Sequence, residues 1–343
     1  MLTIETRGTP FERGKQQGEL LSKQIKDAYQ EWVMKKEKIS FPLNSFFMKM
    51  HKYINQKFPD ALEELKGIAE GSNMSEEQIF LLNTFNSYLS LNHYCTVMVI
   101  RGKDDKAFIA KTHDISEEEM RYTRLNRIIT EQGEQLISIG VAGTIWTVAG
   151  INNHGLAVAG ASAPSSTQQD GVGLPQHMTY SLVLKKCKST QEAVKIMDSI
   201  ILCGQGINTA VADNKGNATC IEKTQCYMGI HPDTGSSMGI TNHFTMKEMT
   251  KFNDYLKEGC LANSKARLLF LQKELVGKKF SNPKTQAKNI MGKTGFEGAL
   301  CQRKANNVMG YETHFGFILD PYAKCISVSE GTPENCTYKD FYL

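Results

Sequence analysis

Apolar residues recur at helical spacing through the first 94 positions and at strand spacing beyond them. Leu21, Ile25, Tyr29, Trp32 and Val33 share one helical face behind the turn Gly8-Thr9-Pro10-Phe11. Phe46, Met50, Tyr53 and Ile54 mark a second helix, which Pro59 interrupts. A third is expected over 60–70, with Leu62, Leu65, Ile68 and Ala69 inward and Gly71 as its stop. Ser75-Glu76-Glu77-Gln78 is a capping box for a fourth, ending near Leu91.

From Cys95 onward the pattern predicts strands. Thr96-Val97-Met98-Val99-Ile100 leads to the turn Gly102-Lys103-Asp104-Asp105-Lys106 and a return strand over 107–111. Strands are expected over 135–141 and 144–150. The turn Asn152-Asn153-His154-Gly155 then opens one over 156–160. A polar loop over 163–174 is of the kind that borders a site. Helices follow over 178–187 and 192–200, strands over 208–212, 218–222 and 238–240, helices over 262–275 and 285–291, and strands over 316–320 and 325–328. Hairpin strands set among helices specify an α+β protein, with antiparallel sheets covered by helices. No long linker or repeat divides the chain. Residues 1–94 therefore read as a helical segment and 95–343 as the sheet-bearing part of one integrated domain.

Composition narrows the partners. The chain is 41% hydrophobic and 22% charged, with a net charge of +4 spread along its length. Neither nucleic acid nor a membrane surface is expected as partner. The amino terminus lacks a charged-then-apolar leader, and no apolar run approaches the length of a membrane span, so the expected compartment is the cytoplasm. All nine cysteines lie in 95–343, in spacings that match no zinc site or disulfide framework. No metal is expected. The glycines at 171, 173, 204 and 206 lack the third glycine of a dinucleotide loop, so no cofactor is expected either.

The candidate chemistry lies at the switch from helix to strand, where Cys95 opens the first long strand. A cysteine there is often core filler. Eight histidines leave a Cys–His dyad open, with no local signature to single one out.

Several short motifs, in order, make the chain similar to the acyl-coenzyme A:6-aminopenicillanic-acid acyltransferase family of N-terminal-nucleophile hydrolases. They are Gly8-Thr9-Pro10 with Gly14 and Gly18; Pro59 with Leu65-Lys66-Gly67-Ile68-Ala69-Glu70-Gly71 and Leu82-Asn83; Cys95-Thr96; Asp114; Gly150-Ile151-Asn152-x-x-Gly155-Leu156; Thr241-Asn242-His243; and Gly331-Thr332-Pro333. Two departures stand out. Tyr94 precedes the nucleophile where the family often has glycine, and Thr112-His113-Asp114 replaces Asn-Trp-Asp.

The resemblance implies an αββα sandwich and self-cleavage between Tyr94 and Cys95. Cys95 is then the nucleophile, Asn242 the oxyanion donor and Asp114 the group that orients the new amine. It also implies a small-molecule amide or acyl donor as substrate, acyl-coenzyme A among the candidates, and two cleaved fragments that stay associated. Thr96, His113, Asn208 and Glu222 are the candidates for the pocket wall. Each has a plainer reading: Asn242 as a turn residue, Asp114 as a helix cap and Thr96 as a strand residue. Two other functions compete with this one. They are an uncleaved small-molecule binder and a Cys–His amidase without self-cleavage.

Overall fold

Two sheets lie face to face with helices over both outer faces in the computed structural model, which describes residues 1–36, 43–89, 94–165, 172–255, 258–304 and 310–343. In chain order the strands are β1 (Leu2–Gly8), β2 (Thr96–Arg101), β3 (Ala107–Ile115), β4 (Thr123–Thr130), β5 (Gln135–Val141), β6 (Ala149–Asn152), β7 (Ala157–Ala163), β8 (Leu174–Pro175), β9 (Leu202–Cys203), β10 (Gly206–Ala212), β11 (Ala218–Lys223), β12 (Met228–His231), β13 (Met238–Ile240), β14 (Glu312–Asp320), β15 (Cys325–Ser329) and β16 (Tyr338–Tyr342). The helices are α1 (Pro10–Leu20), α2 (Ser22–Trp32), α3 (Leu43–Lys57), α4 (Pro59–Ser72), α5 (Glu76–Leu89), α6 (Glu117–Tyr122), α7 (Gln176–Lys186), α8 (Thr190–Ser199), α9 (Glu258–Leu275) and α10 (Pro283–Met291). None of these helices is long and apolar enough to cross a membrane.

The larger sheet runs β1-β4-β5-β6-β7-β10-β11-β12 and the smaller β13-β2-β3-β14-β15-β16. Their facing sides bury Cys95, Val97, Val99 and Ile109 from the smaller sheet against Ala157, Ala159, Ala161, Ala210 and Ala212 from the larger. The run of alanines on β7 and β10 keeps that interface thin. Met98 and Ile100 point the opposite way, onto Leu271 and Leu275 of α9 and Ile290 of α10. Helices α2, α4, α5, α7 and α8 cover the outer face of the larger sheet. This is the αββα order expected from the sequence.

Three differences from the sequence reading have identifiable causes. Residues 2–8 form a strand, not part of the helical layer, because β1 pairs in parallel with β4. The strand expected over 144–150 begins only at Ala149. Side chains of α5 and α1 claim the backbone before it: Asn83 Oδ1 accepts from Ile145 N (2.9 Å), Asn83 Nδ2 donates to Gly143 O (2.9 Å), and Gln17 Oε1 accepts from Gly143 N (3.2 Å). Helix α4 ends at Asn73, whose φ of 55° is left-handed, and not at Gly71. The capping box at Ser75 and Gln78 forms as expected. The expected end of α5 near Leu91 and residues 166–171 of the 163–174 loop lie outside the described residues.

Glycine has a different task in this layer. Gly14 and Gly18 of α1 face Gly67 and Gly71 of α4, and at each position a side chain would run into the opposing backbone. The two helices therefore touch main chain to main chain. Beside the contact, buried Glu64 of α4 accepts from Arg13 of α1 (3.2 Å) and Lys185 of α7 (2.6 Å). At the β6–β7 turn, Asn152 Oδ1 accepts from His154 N and Leu156 N, while its Nδ2 donates to Leu184 O and Cys187 O.

Replacing glycine by alanine inside an exposed helix stabilises it by about 1 kcal/mol. At Gly67 the sign should reverse. Gly67→Ala is expected to cost about 1–3 kcal/mol through overpacking, read by urea unfolding of the Cys95→Ala chain. A variant as stable as its parent would show that the helices do not meet.

Candidate active site

Strand alternation sorts the candidate residues onto two faces of the smaller sheet. Thr96 pairs with Thr112, so Cys95 sits beside His113 at the head of the ladder. Cys95 Sγ lies 3.5 Å from His113 Nδ1. Both residues are buried and face the larger sheet, and the His113 ring rests against Phe317 at 5.8 Å. Buried Lys111 shares that face and reaches across to the carbonyl oxygens of Gly160 and Val148 on the larger sheet. Burial pushes the Cys95 thiol pKa up, while the Lys111 ammonium pulls it down. Burial prevails, so the thiol of the intact chain rests protonated.

On the opposite face, Thr96 and Asp114 point toward α9. The fully buried Arg267 of α9 joins three parts of the site. Its Nη1 donates to Cys95 O (3.0 Å) and Thr96 Oγ1 (2.8 Å), and its Nη2 donates to Asn242 Oδ1 (2.7 Å). Asn242 follows β13. Its N–H donates to Ser264 Oγ (2.9 Å) and its Nδ2 to Ser162 O (2.8 Å) on β7. Asp114 Oδ1 accepts from Thr313 Oγ1 at 2.6 Å. Opposite these residues β14 carries one extra residue between Thr313 and Phe315, a bulge that lets Thr313 face Asp114 and Phe315 face His113. Burial raises the Asp114 carboxyl to about 6, against the pull of Arg267 and the Thr313 hydroxyl.

The structure brings Cys95, Thr96, His113, Asp114 and Asn242 together. Asn208 supports them from behind: its Nδ2 donates to Thr241 O (2.9 Å) and His243 O (2.8 Å), fixing the segment that carries Asn242. Glu222, paired with Asn208 across the β10–β11 ladder, turns elsewhere. It accepts from His231, from Thr245 N–H and hydroxyl, and from Met246 N–H, so it ties down the loop after Asn242 and does not reach the thiol. Tyr94 is buried, with its hydroxyl donating to Cys260 Sγ (3.2 Å) and its ring 5.5 Å from Tyr311. The bond expected to be cut therefore lies inside the protein.

Sequence reasoning passed over Arg267, Lys111 and Ser264. A signal existed for two of them. Ser264 and Arg267 take inward positions of α9 with Cys260, Leu271 and Leu275, and a charge in an otherwise inward helical row calls for a buried partner.

A thiol at the head of a strand, set between two antiparallel sheets with helices outside, is the architecture of the N-terminal-nucleophile hydrolases. The chain belongs to the acyl-coenzyme A:6-aminopenicillanic acid acyl-transferase family, whose model matches residues 100–335. That match includes Asp114, Asn208, Asn242 and Arg267 and begins just past Cys95. No curated protein sequence matches the chain. Among solved structures, a mutant of conjugated bile acid hydrolase from Clostridium perfringens is 11% identical, covering 73% of this chain and 92% of that one, with a TM-score of 0.48. Penicillin V acylase from Agrobacterium tumefaciens is 13% identical, covering 72% and 85%, with a TM-score of 0.45. The Caenorhabditis elegans ortholog of N-acylethanolamine-hydrolyzing acid amidase is 13% identical, covering 66% and 93%, with a TM-score of 0.45.

The raised Asp114 pKa has a signed consequence. Folding lifts this carboxyl from an ordinary 3.8 to about 6, so the folded chain holds the proton more tightly. Its contribution to stability is full below about pH 4 and is lost as pH rises through 6. The denaturation midpoint of the Cys95→Ala chain should carry this decline, and adding Asp114→Asn should flatten it. An unchanged slope in the double variant would place the titration elsewhere.

Proposed function

We propose that this protein is a self-processing amide hydrolase or acyltransferase working through an acyl-Cys95 intermediate. One observation carries the reading. A buried thiol heads a strand, and a single guanidinium ties its carbonyl, the next residue's hydroxyl and the Asn242 side chain into one unit. Thiol attack on the Tyr94 carbonyl exchanges the peptide bond for a thioester, which water then resolves. The cut leaves residues 1–94 and 95–343 as two fragments, with Cys95 bearing a free α-amine. They would stay associated through the β1–β4 ladder, the hydrogen bonds of Gln17 and Asn83 to Arg124 and Ile145, and the Glu64–Lys185 contact between α4 and α7.

The new amine, with an ordinary pKa of about 7.7–8.0, takes the thiol proton near neutral pH. The thiolate attacks a substrate amide or thioester. The Asn242 amide donates to the resulting oxyanion, Arg267 holds that amide in place, and Asp114 orients the amine. Water as acceptor gives hydrolysis, and an amine gives acyl transfer. The family's description supports an acyl-coenzyme A thioester as one donor class, as substrate and not as cofactor. The reading needs no cofactor or metal.

The Cys95–His113 contact favours a second reading, a Cys–His amidase that works uncut. Intact mass under denaturing conditions separates the two. Wild type should yield fragments ending at Tyr94 and beginning at Cys95, while Cys95→Ala should remain whole. An uncut but active wild type would overturn self-processing. In the cut protein, Asn242→Ala should lower kcat by about 100–1,000-fold; a change of less than about threefold would remove Asn242 from the oxyanion site.

A further inference from the structure

We infer that the His113 imidazole is the base that starts self-cleavage, before the chain has an amino terminus to do so. The inference rests on the proposed function and adds the group that makes the first step feasible. In the intact chain the Cys95 nitrogen is an amide and accepts no proton. The thiol is buried and protonated, so attack on Tyr94 needs an acceptor within hydrogen-bond reach.

Among the described residues, the ionisable groups that act on the thiol are Lys111 and Asp114 on β3, Arg267 on α9 and Tyr180 on α7. Ammonium and guanidinium groups offer no lone pair. Asp114 lies on the other face of β3 and accepts from Thr313. The Tyr180 hydroxyl is bonded to Thr209. His113 remains: its Nδ1 stands 3.5 Å from Sγ, with the ring steadied by Phe317. A thiol donates to Nδ1 when the imidazole carries its own proton on Nε2.

The step balances. The Sγ proton passes to His113 Nδ1 as Sγ bonds to the Tyr94 carbonyl carbon. The bond from that carbon to the Cys95 nitrogen breaks, and the imidazolium returns the proton to the departing nitrogen. A thioester and a free amine result. Solvent water then hydrolyses the thioester, leaving the Tyr94 carboxylate and the Cys95 thiol.

The test follows newly made chain. A short pulse of cell-free synthesis is moved into buffers from pH 5.5 to 8.5, and the fragment beginning at Cys95 is timed by mass. Wild type should cut faster as pH rises, through a single inflection. His113→Gln should cut about 100-fold more slowly or worse, without that inflection. Imidazole should restore cleavage to His113→Ala, which a purely structural role would not produce.

A wild-type profile without an inflection overturns the inference, even if the variants fail to fold. So does His113→Gln cutting at the wild-type rate, or a folded His113→Ala chain that imidazole leaves uncut. An inflection lost in Asp114→Asn but kept in His113→Gln moves the base to Asp114. In all of these, cutting before Cys95 in wild type leaves the proposed function standing. A wild type that never cuts removes both.

Discussion

A buried guanidinium is tolerable only when its hydrogen bonds and its charge are both met, because an unpaired buried charge costs several kcal/mol. Arg267 meets that demand with the backbone oxygen of Cys95, the hydroxyl of Thr96, the side chains of Asn242 and Asn263, and the attraction of Asp114. The demand works in both directions. The helix that carries Arg267 has to dock where those acceptors converge, and the acceptors are held where the guanidinium has to be. β2, the segment after β13 and α9 are thereby locked around the thiol before any substrate arrives. Such preorganisation is what an oxyanion donor requires, since a donor that must first be oriented loses most of its effect.

The same strand separates two tasks by alternation alone. On β3, Lys111 and His113 turn inward beside the thiol, while Asp114 turns outward toward Thr313 and the arginine. The thiol–imidazole contact and the charge compensation of Arg267 thus share a strand without sharing a space. The bulge on β14 serves both sides at once, giving Asp114 a hydroxyl and His113 an aromatic wall. Behind this layer, Asn208 and Glu222 show how far a site's support extends. Neither meets the thiol, but each spends its hydrogen bonds on the segment that runs through Asn242.

The helical layer has its own logic. Four glycines let α1 and α4 meet at the backbone within the first 94 residues, while the β1–β4 ladder and the Glu64–Lys185 ion pair join that segment to the rest. Tyr94, buried between Cys260 and Tyr311, ends that segment next to Cys95.

Periodicity and caps made the helices over 43–72 and 258–291 and the hairpins around β2–β3 and β6–β7 legible, because their signals are local. Cys95, Asp114 and Asn242 were legible as a set through short motifs in order. β1 and β4 were not, since their stability comes from a partner about 120 residues away. Nor was the loss of strand over 144–148, where Asn83 and Gln17 take the backbone bonds a ladder would have used. Lys111 looked like an ordinary charge, because nothing near it in sequence shows that it is buried, and Arg267 was marked only by its place in the inward row of α9. The sequence by itself determined the candidate residues and the faces on which alternation sets them. Only the tertiary structure decided which meet, for a buried charge is satisfied by groups far away along the chain, and no local pattern encodes that distance.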